Sequence, residues 1–337
     1  MIDTTFKIWS LDRERIHWED HILDLSPVQE VDGVCFKRED FFAPLGYGNI
    51  NGSKLRQCIW LIDKFVKSHP KPVGVVQGAV TGSPQHPMVA TICKHYGLKS
   101  IHTVGSPDIE KYKNLKLALD MGATFEVCNV GYAKTLEAKA RAIADQKKGY
   151  FFLETNITVD HEKNPADRVE AFHAVGAEQA RNIPDHIDTI ILPAGSCNSA
   201  TSVLYGIAKY RPKNLKRIVL FGIGNYGSKD PDYIRRRLNV IGHVAGIDFD
   251  QIYDYPWGSE GLPFTFEDTS RIIIQHHDLN GSGYCEYNDL MPYTHASIAM
   301  HPRYEGKIWN YMRDNTKVFK TLLNNKTMFW IVGSEPQ

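Results

Sequence analysis

No two of the six cysteines, at positions 35, 58, 93, 128, 197 and 285, stand in a CxxC pair or at any zinc-ligand spacing. That excludes a local metal finger and a CxxC redox centre. Charge of one sign is also missing, since 39 Lys and Arg balance 39 Asp and Glu. No global basic field therefore favours indiscriminate nucleic-acid binding. No apolar run approaches the ~20 residues that a membrane span needs. Met1-Ile2-Asp3-Thr4 opens without the basic-then-apolar pattern of a signal peptide. The small-residue loop Gly195–Thr201 is neither a Walker loop, having no GK[ST], nor a GxGxxG fingerprint. The scattered cysteines lie in apolar patterns, where cysteine acts as a small hydrophobe. The simplest expectation is a reduced cytoplasmic protein without a metal site. Adjacent His276 and His277 would point to opposite sides of a strand. The run Arg235-Arg236-Arg237 reads as a solvated helix face, with a phosphate contact as its alternative.

What is present is an alternation of strand and helix signals over 337 residues, a length suited to two domains or one large α/β unit. Val73–Gln77, Ser100–Val104 and Phe125–Cys128 read as strands. Val89–Gly97, Tyr112–Met121 and Tyr132–Lys147 read as the helices between and after them. After the polar stretch 155–167, Ala171–Asn182 reads as helix, Thr189–Pro193 as strand, Ser202–Lys209 as helix and Arg217–Ile223 as strand. Short connections in this order predict parallel, doubly wound sheets. Two such domains facing one another would hold a cofactor in the cleft between them. The boundaries expected are 1–50 with 155–337 for a large domain and 51–154 for a small one.

Lys54 opens a helical pattern straight after the turn-forming stretch 46–53. The helix macrodipole disfavours a cation there by a few tenths to about 1 kcal/mol. A Schiff base with an aldehyde cofactor removes that charge; the plainer reading is a solvated lysine. The small-residue segment Gly195–Thr201 lies between a strand and a helix, where backbone N–H groups and the helix dipole favour a phosphate. A plain helix cap is the alternative. A second small-residue turn, Gly78–His86, supplies hydroxyls and an amide suited to a carboxylate or a cofactor ring oxygen. Near the C-terminus, Gly281-Ser282-Gly283-Tyr284 and His301–Lys307 add tyrosines and a glutamate beside turn residues.

In this order the segments resemble the fold type II pyridoxal-phosphate enzymes, and within them the 1-aminocyclopropane-1-carboxylate deaminase and D-cysteine desulfhydrase family. Lys37-Arg38-Glu39-Asp40 resembles the family's KRED segment, and Gly52–Gln57 its GNKxRK signature. Gln77–Ala90 falls at GGxQSNHxRQVA, and Ala194–Ser199 at TGSGGT. Gly283-Tyr284 resembles GYG, Pro302–Lys307 resembles PVYEGK, and Trp330–Ser334 falls at the terminal HTGG. The likeness covers nearly the whole chain. It implies two doubly wound domains of tryptophan synthase β-subunit-like architecture, pyridoxal 5'-phosphate as cofactor, and a homodimer.

The resemblance also implies roles. Lys54 would hold the cofactor and move protons at the substrate Cα. Gly195, Ser196, Cys197, Asn198 and Ser199 would bind the phosphate, and Ser83 the substrate carboxylate. Tyr284 and Tyr304 would face the substrate, and Glu305 the pyridine nitrogen. The sequence departs from the pattern at Pro84, where the family has an asparagine that meets the ring oxygen; Gln85 is the substitute expected. Ser-Cys-Asn-Ser stands for Ser-Gly-Gly-Thr in the phosphate loop. His301 replaces an aspartate and Val332 a threonine, and the segment between Tyr284 and His301 is shortened, as if a helix over the site were trimmed.

The function these features imply is a lyase or deaminase acting on an amino acid through Lys54 and a carbanion at Cα or Cβ. Glu305, where the desulfhydrases carry threonine, leans toward deaminase chemistry. The trimmed segment motivates a second reading, a decarboxylase or lyase acting on an amino-acid group attached to a nucleotide or modified nucleic acid. A cofactor-binding scaffold without turnover is the third.

Overall fold

The computed structural model describes residues 17–46, 48–223, 231–255, 270–316 and 322–335. Met1–Thr4, on which the reading of an absent leader rests, and Tyr47 of the turn before Lys54 lie outside them. In chain order the strands and α-helices are β1 (Val28–Val31), β2 (Val34–Arg38), α1 (Ser53–Ser68), β3 (Gly74–Gly78), α2 (Gln85–His95), β4 (Lys99–Val104), α3 (Lys113–Asp120), β5 (Thr124–Val127), α4 (Ala133–Gln146) and β6 (Tyr150–Leu153). They continue with α5 (Ala166–Ala177), β7 (Thr189–Ala194), α6 (Asn198–Tyr210), β8 (Arg217–Gly222), α7 (Pro231–Ala245), β9 (Tyr253–Asp254), β10 (Ile272–Asp278), β11 (Tyr293–His295), β12 (Ile298–Met300), α8 (Glu305–Asp314) and β13 (Thr327–Ile331).

The described chain divides into two compact units. The larger holds residues 23–54 and those from His161 onward; the smaller holds Trp18–Ile22 and Leu55–Asp160. Both boundaries differ from those drawn on the sequence. Trp18 belongs with the smaller unit because its ring stacks on His95 at 4.0 Å. Residues 51–54 belong with the larger because Asn51 is tied to Ser334, as described below. Neither link has a local sequence signal.

The larger unit is built on a sheet of order β1-β2-β13-β7-β8-β10-β9. Its strands run parallel except for β1, which pairs antiparallel with β2. Ile190, Ile191, Leu192, Ile218, Val219, Leu220 and Phe221 are all buried. Alternate residues point to opposite faces, so both faces are covered, as parallel sheets require. α8 covers the face carrying Phe36, Ile191, Phe221 and Phe329, with Ile308, Trp309 and Met312 packed among them. α5, α6 and α7 pack on one another.

The smaller unit has a parallel sheet of order β5-β4-β3-β6. α4 packs on Val76 through Ala140 and Ala144. On the neighbouring residue of β6, Phe65 of α1 stacks on Phe151 at 5.3 Å. Chain order reverses between β3 and β6, the topological switch point at which open α/β sheets bind ligands. The α/β reading thus holds in both units. Among the described residues no helix is long and apolar enough to cross a membrane, no disulfide joins the cysteines, and no His/Cys/Asp/Glu cluster suits a metal.

Candidate active site

Lys54 owes its place to the far end of the chain. Ser53 N–H donates to Val332 O at 2.9 Å, and Gly52 N–H to Phe42 O at 3.0 Å. Asn51 Oδ1 accepts from Ser334 N–H at 2.8 Å while its Nδ2 donates to Ser334 Oγ at 2.9 Å. Gly52 has φ +98°, and a Cβ there would lie 2.4 Å from Val332 O. Only glycine tolerates both the conformation and the approach. Lys54, half-buried, follows at the second position of α1. Its charge is felt by His301, whose pKa is lowered to about 3 by burial, then by Arg303 and Lys54. Arg303 N–H donates to His301 Nδ1 at 3.1 Å, which leaves the ring proton on Nε2.

The small-residue segment after β7 is shorter than the sequence suggested. Its loop is Gly195–Cys197, and α6 begins at Asn198. Cys197 supplies the left-handed residue before the helix, with φ 63°, at a position where the related motif has glycine. Ser199, in the first turn of α6, meets Ser53: their hydroxyl oxygens are 2.8 Å apart. Ser196 is half-buried, and the Tyr304 ring lies 3.0 Å from where a Cβ on Gly195 would stand. Lys54, Gly195, Ser199 and Tyr304 are thereby joined through direct neighbours within one unit.

Glu305 begins α8 and is fully buried. Oε1 accepts from Val332 N–H at 2.6 Å, and Oε2 has no hydrogen-bond partner. Burial pushes its pKa up to about 8, against the backbone donors and with help from Asp40. Val332 bridges Glu305 to Ser53, because its N–H serves the first and its carbonyl the second.

The two tyrosines named from the sequence part company here. Tyr304 is half-buried beside Gly195 and His301, its ring centroid 4.8 Å from that of His301. Burial, then Tyr287, keeps its phenol protonated well above the usual range. Tyr284 instead donates to Asp314 Oδ2 at 2.8 Å and packs edge-on against Tyr311. Asp314 ends α8 and Tyr304 caps its start, which separates the two ends by about 15 Å at 1.5 Å per residue. Tyr287 adjoins Tyr304, its hydroxyl 3.3 Å from that of Tyr304. Lys307 Nζ donates to the carbonyl oxygens of Glu286 and Tyr287 and holds this turn. Residues between Tyr284 and His301 form turns and the β11–β12 hairpin rather than a helix.

Ser83 and Gln85 belong to the smaller unit, at the turn after β3. Ser83 Oγ accepts from Gln85 N–H at 3.2 Å. Gln85 Nε2 donates to Glu154 O at 3.1 Å, and the buried Oε1 is left without a partner. Gln85 thus has its Oε1 and the second N–H of its Nε2 to offer a ligand.

A correction concerns the arginine run. Arg236 is exposed and Arg235 pairs with Asp250 at 2.8 Å, but Arg237 is only 3% exposed and donates to Asn198 Oδ1 at 2.5 Å. Three consecutive helical residues span about 200° of the helix surface, so one of them had to face inward. Tyr287 carried no signal by which spacing could have singled it out, and the motif around Ser53 and the arginine run gave no sign of their partners Ser199 and Asn198.

One half-buried lysine thus stands near a tyrosine, a neutral histidine, a protonatable buried carboxyl and a helix N-terminus. This set suits acid–base work on a small anionic ligand. No family profile matches the chain. It is 37% identical, over a 376-residue alignment covering 99% of its own length and 87% of the other, to the O-seryl-dTMP PLP-dependent decarboxylase of Salmonella phage ViI. A crystal structure of an ACC deaminase homologue superposes with a TM-score of 0.66 at 18% identity, covering 92% of this chain and 89% of that one. Escherichia coli diaminopropionate ammonia lyase in its apo form superposes with a TM-score of 0.53 at 12% identity, covering 98% and 90%. These two likenesses show the fold and do not select a branch within it.

Proposed function

The chain belongs to the fold type II family of pyridoxal-phosphate-dependent enzymes, and we propose that it is a decarboxylase of an amino-acid group carried on a nucleotide, with pyridoxal 5'-phosphate as its cofactor. The observation that carries this reading is the 37% identity along 99% of the chain to a decarboxylase of that description. The residues present fit the cofactor. Glu305 Oε2, buried and unpartnered, is placed to serve a pyridine N–H. The loop 195–199 offers a helix N-terminus and two hydroxyls to a phosphate.

Bound there, pyridoxal phosphate supplies an electron sink for the pair left at Cα when the carboxylate departs as carbon dioxide. Lys54 Nζ holds the cofactor between turnovers and delivers to Cα the proton that replaces the carboxylate. Ser53 and Ser199 set the start of α1 against the start of α6 and so fix Lys54 relative to the phosphate loop. Glu305 holds or releases a proton at Oε2. His301, neutral, adds no second cation beside Lys54. Tyr304 and Tyr287 present phenol hydroxyls to the substrate.

Glu305 also favours a second reading, the deaminase or lyase chemistry in which a protonated pyridine stabilises a carbanion. The products separate the two. Purified protein with pyridoxal phosphate should show a visible absorption band that borohydride abolishes and that Lys54→Ala lacks. Incubated with O-seryl-dTMP it should release carbon dioxide and retain the amine. Ammonia from free amino acids, without carbon dioxide from the nucleotide, would replace the first reading by the second. Absence of the band in the wild type would leave a scaffold.

A further inference from the structure

We infer that Arg303 binds a phosphate of the nucleotide on which the amino-acid group is carried. The inference rests on the reading of the chain as a decarboxylase of such a substrate. In the related PVYEGK motif the residue between proline and tyrosine is valine; here it is arginine. A planar cation with five donors thus replaces an aliphatic side chain next to Tyr304 and two residues before Glu305, and no partner of opposite charge came with it.

Arginines elsewhere in the chain are matched to carboxylates, Arg38 to Asp40 at 2.7 Å and Arg235 to Asp250 at 2.8 Å. Among the described residues the Arg303 side chain meets only neutral groups. Nη1 donates to Asn288 Oδ1 at 3.2 Å and reaches the Tyr287 carbonyl oxygen at 3.5 Å. The guanidinium lies 5.2 Å from the Tyr287 ring centroid. These contacts hold the half-buried head group in place without neutralising it. They engage one corner of the fork and leave Nε and Nη2, the edge that takes an oxyanion through two parallel bonds.

Tyr287 sets where that edge stands relative to the reacting atoms. Its hydroxyl is 3.3 Å from that of Tyr304, while its ring carries Arg303. The guanidinium therefore lies one aromatic side chain outward from the pair of hydroxyls that faces the amino-acid group. The backbone fixes this direction, because Arg303 N–H is spent on His301 Nδ1 at 3.1 Å and the His301 ring turns toward Tyr304. In a nucleotide-borne substrate, base and sugar separate the amino-acid group from the phosphate. A phosphate contact thus belongs away from Lys54, whereas a contact to the carboxylate on Cα would have to lie beside it.

Protein loaded with pyridoxal phosphate, as wild type, Arg303→Met and Arg303→Lys, is titrated with dTMP, thymidine, serine and the trinucleotide TpTpT. Carbon dioxide release is followed with O-seryl-dTMP and O-seryl-thymidine. Arg303→Met should weaken dTMP about tenfold, the scale of one charge-assisted hydrogen bond, and leave thymidine and serine unchanged. KM for O-seryl-dTMP should rise by the same factor with kcat kept, because a contact remote from Cα is alike in ground and transition states. Arg303→Lys should recover part of the loss. An Arg303-dependent preference for TpTpT over dTMP assigns the phosphate to a nucleic acid, and the reverse order assigns it to a free nucleotide; either supports the contact. Equal losses for dTMP and thymidine, a loss confined to serine, or a wild type that binds dTMP and thymidine alike would overturn the inference. Should Arg303→Met fail to fold, Arg303→Gln is judged by the same ratio. Carbon dioxide from both substrates without preference for O-seryl-dTMP sinks this inference alone. No carbon dioxide from either sinks the parent reading, and Arg303 then stands or falls on dTMP against thymidine.

Discussion

Glu305 loses its water on folding and keeps only backbone hydrogen bonds, the Val332 N–H at 2.6 Å among them. Its pKa rises from 4.5 to about 8. Between those values the folded chain still binds a proton that the unfolded chain has released, so stability falls as pH rises through that window. The loss amounts to a few kcal/mol at roughly 1.4 kcal/mol per unit. In Glu305→Gln, cofactor-free, that alkaline decline should vanish when melting temperature is followed from pH 5 to 9. Parallel declines in variant and wild type would assign the effect elsewhere. The glutamate's identity was legible in the motif Tyr304-Glu305-Gly306-Lys307. Its burial and its bond to Val332 were not, since Val332 lies 27 positions away. Tyr284 teaches the same lesson, because its bond to Asp314, 30 positions away, has no sign in the motif.

Among the elements, the start of α1 decides where Lys54 stands. A methyl on Gly52 would meet a backbone oxygen that no rotamer change can move, on a residue with positive φ. Gly52→Ala should cost about 2–4 kcal/mol in urea unfolding, and should weaken cofactor uptake more than Gly33→Ala, whose Cβ would meet nothing. A loss no greater than at Gly33 would mean that the end of β13 gives way freely. Most elements were legible, because apolar periodicity and terminal glycines are local signals. α6 began earlier than expected: Asn198, Ser199 and Thr201 favour loops intrinsically, and Cys197 adopts a left-handed turn that its side chain does not announce.

For the molecule as a whole, neutral buried histidines set the acid limit. Burial lowers His86 and His277 to about 4, His301 to about 3, and His102 and His173 well below 6.5. Below pH 6.5 the unfolded chain binds protons that the folded chain refuses, so stability is lost as pH falls from there through 4. Glu305 acts in the opposite sense from pH 4.5 to about 8, outweighed by these five histidines below pH 6.5 and unopposed by them above it. Cofactor-free protein should therefore melt highest near pH 6.5. A melting temperature that is flat between pH 4 and 6.5 would show these rings open to protons. A steady rise to pH 9 would remove Glu305 from the account.

The sequence by itself determined the α/β architecture of both units, the order of the motifs and the lysine at the head of α1. Each of these follows from hydrophobic periodicity and turn chemistry within a few residues, or from short motifs read in order. Tertiary structure alone decided that Arg237 is the inward arginine, that Tyr287 rather than Tyr284 adjoins Tyr304, and that Glu305 is a weak acid. Those outcomes depend on contacts such as Ser53 with Val332, Ser53 with Ser199 and Asn198 with Arg237, separated by 279, 146 and 39 positions. Burial and partner choice come from packing between distant segments, and no local pattern encodes them.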